Sequence, residues 1–413
     1  MFPSSEVQRD FLRSTPKSPS LLVGLWVLLA MAPSAFAQLT HGKPPKLVPP
    51  FTRPIVANPP VVKPAPGFKP RVLKGFSVSL FATGFREPRY LAVAPDGDLF
   101  IADTAGGKVW VVHDPGDTKE SGKKSVFADD LKDPFGIAFR DDYVYVGDTN
   151  EVIRFRYDPK TSRRLGDREH ILDLPNDGMH FTRTIVFSQD GTKMFVSVGS
   201  DCNACVESDN RRAAIMVSDP DGKNWSVYAS GLRNAVGLAI NPETGELWAD
   251  VNERDMLGDN LPPDYFTHVQ QGGFYGWPYS YIGKNLDSRV SPQRPDLVDK
   301  AIIPDVLLGP HIAPLECTFY TGDQFPAKYK HGAFIAEHGS WNRSILNGYA
   351  VVFIPFKDGK PAAAPEPFLT GFVPNTNKNV VNGRPVGVAV AKDGSLFVSD
   401  DGGRVIWRVS KAD

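Results

Sequence analysis

The chain predicts an all-β fold, a six-bladed β-propeller, and three observations carry that expectation. Alternating β-branched and aromatic residues recur in pairs of runs joined by tight Asp-Gly type turns, the pattern of half-buried antiparallel hairpins. The recurrences start about 45–55 residues apart, which is blade spacing. Long segments of helical periodicity are absent. One such unit has two apolar faces and open edges; radial stacking buries the faces and leaves only short edges. With 413 residues, 41% of them apolar and 23% charged, the chain can bury the core this requires. A formal net charge of −1 argues against nucleic acid as a general partner.

Residues 1–37 read as a secretory signal peptide. Arg9, Arg13 and Lys17 precede the 12-residue apolar run LLVGLWVLLAMA, and Ala35-Phe36-Ala37 fits a small-residue cleavage site. The run is too short for a comfortable membrane span, and no twin-arginine pair precedes it. The expected location is periplasmic or secreted, with no stable membrane span after processing and with disulfides permitted. Residues 38–72 are Pro-rich and basic, without an acidic residue. Such a segment buries too little to fold alone and reads as an arm wrapped on the surface. The propeller domain is expected over 73–413.

Within it, FREPRYLAVAPDGDLFIADTAGGKVWVV (85–112) is the first blade pattern and DPFGIAFRDDYVYVGDTNEVIRF (133–155) the second. HFTRTIVFSQDGTKMFVSVGS (180–200) and GLRNAVGLAINPETGELWADVN (231–252) follow. KHGAFIAEHGSWNR and NGYAVVFIPF fit a diverged fifth unit, and RPVGVAVAKDGSLFVSDDGGRVIWRVS (384–410) is the last. Residues 255–300, rich in Gly, Pro and aromatics, read as an insertion within or after the fourth blade, and 206–216 has room for a short helix.

Loops that enter the innermost strands of a propeller line its central funnel. Those positions hold Arg89, His180, Arg233, Asn234 and Arg384. A single arginine there is best explained as a brace between blades. Several together are costly unless an anion neutralises them, and the planar guanidinium suits carboxylates. The implied ligand is a small polyanion over the axis. Cys202-Asn203-Ala204-Cys205 is not followed by His, which excludes haem attachment; in an exported chain it reads as a local disulfide. Cys317 reads as a buried small apolar residue. His311, His338 and Trp341 either line a substrate mouth or serve as ordinary loop residues, and Phe274, Tyr275 and Trp277 either stack on a ligand or anchor packing. Fingerprints of serine hydrolases, P-loops and Rossmann folds are missing.

GLRNAVGLAINPETGELWADVNERD, GGFYGWPYSYIG, HIAPLECTFYTG, EHGSWNR and GRPVGVAVAKDGSLFVSDD occur in that order. From about residue 75 to the end the chain resembles the sorbosone dehydrogenase branch of the soluble sugar dehydrogenases that depend on pyrroloquinoline quinone (PQQ). The resemblance implies PQQ, a tricarboxylate, on the axis, with Ca2+ against the quinone. It implies oxidation of a sugar, polyol or aldose-type aldehyde such as sorbosone by hydride transfer to the quinone, with His180 as general base. Arg233, Asn234 and Arg384 match cofactor contacts; Arg89 and Arg343 are looser candidates. The metal-bearing loop of the family differs here and reads ADVNERDMLGDN, so Asn252, Glu253 and Asp255 become the expected oxygen donors. Electrons then leave to an external acceptor, a cytochrome or the quinone pool. Two rival readings remain open: a calcium-dependent propeller lactonase or hydrolase, and a non-catalytic periplasmic binding propeller.

Overall fold

The computed structural model describes residues 37–52, 67–114, 122–374 and 379–412. The expected signal peptide lies outside these residues apart from Ala37. Six antiparallel sheets form the propeller, each ordered from an innermost to an outermost strand. The innermost strands are Pro88–Val93, Ile137–Arg140, Ile185–Phe187, Ala235–Ile240, Pro314–Phe319 and Pro385–Val390. Each packs beside the next, and the last returns to the first, so the ring closes around an axis. Closure is made covalently continuous by the N-terminal strand Phe76–Thr83. It pairs with Val405–Lys411 as the outermost strand of the sixth blade, so both ends of the domain share one sheet.

The core sits between blades, where the alternation in the sequence directs apolar side chains to both faces of each sheet. Phe100, Phe127, Phe155 and Tyr157 fill the space between blades one and two. Trp248, Phe266 and Phe319 do so between blades four and five. Phe325, Tyr329, Phe334 and Phe368 lock blade five against Phe76 of blade six. Burying each such ring contributes roughly 1.5–3 kcal/mol, which makes every blade a support for its neighbours.

Within the segment read as an arm, Gln38–Leu39 adds a fifth strand to blade four and Arg71–Val72 adds one to blade five. The insertion in blade four is shorter than the sequence suggests. Pro263–His268 is a true blade strand, and the inserted residues run from 269 to 305 before Val306–Pro310 completes the sheet. Residues 206–216 form no helix; turns lead into the strand Ala214–Ser218. Among the described residues no helix is long and apolar enough to cross a membrane.

Candidate functional site

A cavity of about 280 Å³ opens where the loops ahead of the innermost strands converge. His180, Arg233 and Asn234 line it, together with Asn252, Glu253 and Asp255. His311, His338 and Trp341 complete the wall with Asp264, Asn342, Ala313 and Met179. Residues from blades three, four and five, up to 163 positions apart in the chain, thus meet because their strands point to one axis. A larger groove of about 550 Å³ lies between Lys123–Phe127 and Thr161–Arg164. It holds none of the candidate residues and borders positions outside the described set.

His180 is fixed from two sides. Its Nδ1 donates to Ser200 O at 2.7 Å, and Arg183 Nη1 donates to His180 O at 3.0 Å. The carbonyl fixes the tautomer, so Nε2 carries the lone pair. Nε2 has no protein partner among the described residues and is not sealed from solvent. Burial, followed by the neighbouring Arg233 charge, pushes the imidazole pKa down to about 3. The ring is therefore neutral, with the Nε2 lone pair free.

Arg233 is buried and held by Asp255, Glu253 and Asn203. Nη2 pairs with Asp255 Oδ2 at 2.9 Å, Nη1 donates to Glu253 O at 2.8 Å, and Nε donates to Asn203 O at 3.2 Å. Asn234 Oδ1 is buried without a partner. His338 Nε2 lies 3.0 Å from both oxygens of Asp401. Burial favours a neutral Asp401, but His338, Arg89 and Arg384 outweigh it and hold the carboxyl below the usual carboxylate range. Burial pushes His338 down to about 4 against the pull of Asp401, so the pair is a neutral imidazole on a carboxylate.

The structure corrects the picture of converging arginines. Arg89 lies inside the first strand, not ahead of it. Pro88, Ala235 and Pro385 occupy equivalent ladder positions followed by the same register shift, which aligns Arg89 with Val236 and Val386. Its guanidinium is taken up by Glu87 and Asp401 at 3.2 and 3.3 Å. Arg343 does not line the cavity; it donates to Asp259 O and Asn260 Oδ1 and braces that loop. Arg384 also stands outside the wall. Its bonds to Gly339 O and Tyr349 Oη are long, 3.4 Å each, and its Nε has no partner. Of the arginines, Arg233 alone faces the cavity, and it carries its own carboxylate.

The acidic side is richer than the sequence indicated. Asp264, assigned to the insertion by pattern alone, accepts from Glu253 N at 2.8 Å and Ala313 N at 2.9 Å. Burial first, then the adjacent carboxylates, pushes it up to about 8. Burial and Asp264 do the same for Glu337, also to about 8. Glu253 is enclosed, with Oε2 turned to Arg254 Nε at 3.1 Å and Oε1 buried without a partner. Asn252 Nδ2 donates to Pro314 O, which leaves Oδ1 open, while Asn342 Oδ1 is buried and unpartnered. The amide oxygens of Asn252 and Asn342, short of donors, beside Asp264 and Glu337, which burial foremost keeps neutral, fit a hard cation such as Ca2+. The under-satisfied Arg384 Nε is a donor suited to a ligand carboxylate, while Asn234 Oδ1 is an acceptor suited to a ligand donor.

His311 is held by Nε2 on Gly258 O at 2.8 Å, and both His311 and Ala313 have positive φ, 57° and 52°. Non-glycine residues in that region store strain, which concentrates at functional loops. Trp341 is partly exposed at the rim. Tyr275 and Trp277 are buried packing anchors rather than stacking faces, and Trp277 Nε1 donates to Asn203 O. Cys202 and Cys205 form a disulfide, and Cys317 is buried and free.

The sequence matches the TrAA12-like family over residues 70–273 and 296–412. The chain belongs to that family. It is 30% identical over 354 residues to an uncharacterized protein of Borreliella burgdorferi, covering 82% of this chain and 90% of the other. It is 25% identical over 399 residues to the pyrroloquinoline quinone-dependent pyranose dehydrogenase of Coprinopsis cinerea. That match covers 82% of this chain but 54% of the relative, so the chain spans about half that protein's length. The fold recurs in the iodide structure of a Trichoderma reesei Carbohydrate-Active Enzymes Family AA12 protein, with a TM-score of 0.73, 22% identity, and coverage of 85% and 99% of the two chains. The calcium structure from the same source gives a TM-score of 0.71 at 21% identity, with coverage of 86% and 99%. This TrAA12-like chain therefore shares its fold with the AA12 proteins, and a pyrroloquinoline quinone-dependent pyranose dehydrogenase is among the proteins it is similar to.

Proposed function

We propose that the protein is an exported PQQ-dependent dehydrogenase of sugars, polyols or aldose-type aldehydes, with sorbosone-like substrates the finer expectation. One observation carries the reading: a tautomer-fixed, neutral His180 with an open Nε2 shares a cavity with Arg233 and Asn234. Bound there, the quinone supplies the two-electron acceptor that no side chain provides, and Ca2+ polarises it. Asn234, Arg233 and, after reorientation, Arg384 would hold the cofactor; Asn252, Asp255, Asp264 and Asn342 offer oxygens to the cation. His180 takes the proton of the substrate hydroxyl at Nε2, and the Ser200 carbonyl stabilises the resulting charge at Nδ1–H. His180 beside Arg233 would gain basicity with a negatively charged cofactor bound there, its pKa rising from about 3. Trp341 offers an aromatic face at the rim for a sugar ring. Electrons pass to an external cytochrome or quinone pool.

The carboxylates and amides also suit a calcium-dependent hydrolase, and the internal pairing of Arg89, Arg233 and Arg343 keeps that reading open. Dye reduction by apo-protein reconstituted with PQQ and Ca2+, over aldoses, sorbosone and polyols, separates the two. A dehydrogenase reduces dye only with both additions. Lactone hydrolysis with Ca2+ alone, and no dye reduction, supports the hydrolase.

A further inference from the structure

The Cys202–Cys205 loop is the sequence feature that the proposed chemistry leaves unused, yet it touches nearly every group that chemistry needs. Asn203, between the cysteines, receives Arg233 at both its main-chain oxygen and its Oδ1, each at 3.2 Å. Its Oδ1 also accepts from Asp255 N at 2.7 Å, its Nδ2 donates to Asp255 O at 3.1 Å, and its carbonyl accepts from Trp277 Nε1 at 3.1 Å. On the other flank, Ser200 Oγ donates to Cys202 O at 2.7 Å, and Ser200 O is the acceptor that fixes His180. One short crosslinked turn therefore sets the guanidinium, the metal-side loop and the imidazole relative to each other. Without the crosslink, residues 200–205 form only bends and loop, with no ladder or helix to hold them. Both cysteines are partly accessible.

We infer that the Cys202–Cys205 disulfide, acting through Ser200 and Asn203, is a positioning element for the site, and that opening it weakens cofactor binding and releases the His180 tautomer while the propeller stays folded. The inference rests on the function proposed above for its cofactor arm alone. A dithiol reductant opens the bond by supplying two electrons and two protons, giving two thiols and its own cyclic disulfide; reoxidation restores the bond. Ala204 of the turn packs on the small Tyr279, Val290 and Val298 cluster of the inserted segment, while the clusters between blades hold no residue of the turn.

The test compares wild type, oxidised and dithiothreitol-reduced, with Cys202→Ser/Cys205→Ser and with Asn203→Ala. Readouts are PQQ titration in the presence of Ca2+, Trp emission, and 15N shifts of the His180 ring in apo-protein, with circular dichroism to verify folding. Expected results are PQQ binding about tenfold or more weaker on reduction or in the double variant, recovery of wild type on reoxidation, and mixed His180 tautomers. Asn203→Ala keeps the crosslink and the Ser200 arm, so it weakens PQQ binding but leaves the His180 signature intact. This variant decides the Asn203 arm even if the double variant does not fold. Unchanged PQQ affinity and unchanged His180 shifts after verified reduction overturn the inference. If wild type binds no PQQ, the functional reading fails, and the ring shifts still decide the positioning claim.

Discussion

Adding one methyl group at Gly199 is the sharpest perturbation the site allows. A Cβ there would stand 2.7 Å from His180 Cβ and 3.0 Å from His180 Cγ, and closer still to Asn234 Oδ1. Carbon atoms rest about 3.5–4.0 Å apart, so His180 must retreat by roughly 0.5–1 Å or Asn234 must swing away. Both are pinned, His180 by Ser200 O and Arg183 and Asn234 by its burial between strands. Overpacking of this kind costs about 1–3 kcal/mol of stability. The displacement of Cβ and Cγ carries with it the ring whose Nε2 is assigned to proton transfer, where about 1 Å is worth on the order of 100-fold in rate. Gly199→Ala is therefore expected to melt a few degrees lower and to lose about 100-fold in dye-linked turnover. Thermal denaturation and reconstituted dye reduction measure the two effects. Turnover within about twofold of wild type, at an unchanged melting temperature, would refute the geometry assigned to His180 and Asn234.

Acid stability reports the buried imidazole. Because the folded His180 pKa is about 3, below its ordinary 6.5, the unfolded chain takes up a proton that the folded chain refuses. This contribution is intact above pH 6.5 and is lost as pH falls toward 3, at about 1.4 kcal/mol per pH unit. Urea unfolding of apo-protein at pH 6.5 and 5 should show a smaller loss for His180→Asn than for wild type; equal losses contradict a neutral buried His180. Asp401→Asn leaves Arg89 without its buried carboxylate and should destabilise by about 3–5 kcal/mol in the same assay. Arg343→Ala removes only loop bracing, so PQQ affinity should stay within about twofold of wild type, and a larger loss would return Arg343 to the cofactor.

The blades were legible because β-branched alternation and Asp-Gly turns are local signals. Their strands begin and end close to the quoted patterns. The fifth blade was harder to see because its innermost strand, Pro314–Phe319, carries Glu316 and Cys317 on the axis instead of a clean alternation. Arg89 was misplaced by a register shift, a feature set by hydrogen bonding and invisible in spacing. His180, Arg233 and Asn234 fell into one cavity because loops ahead of innermost strands converge by topology. Asp264, Asn203 and Asp401 were missed for a common reason. Their partners lie far along the chain, as His338 does from Asp401, 63 residues away, and no periodicity encodes such pairs. The Ser-Asp-Asp ending of the sixth blade gave no signal for Asp401, because Asp400 is the residue that repeats the acidic strand end of the first blade at Asp103.

The central claim is that His180 moves a proton beside a quinone held in the axial cavity. His180→Asn tests it most directly, because the amide can still donate to Ser200 O while the acceptor at Nε2 is gone. Wild type and variant are titrated with PQQ in Ca2+, then given sugar and dye. The account predicts binding midpoints within about threefold of each other and turnover lower by about 100- to 10,000-fold in the variant. Equal turnover, or no saturable PQQ binding by wild type, would contradict it.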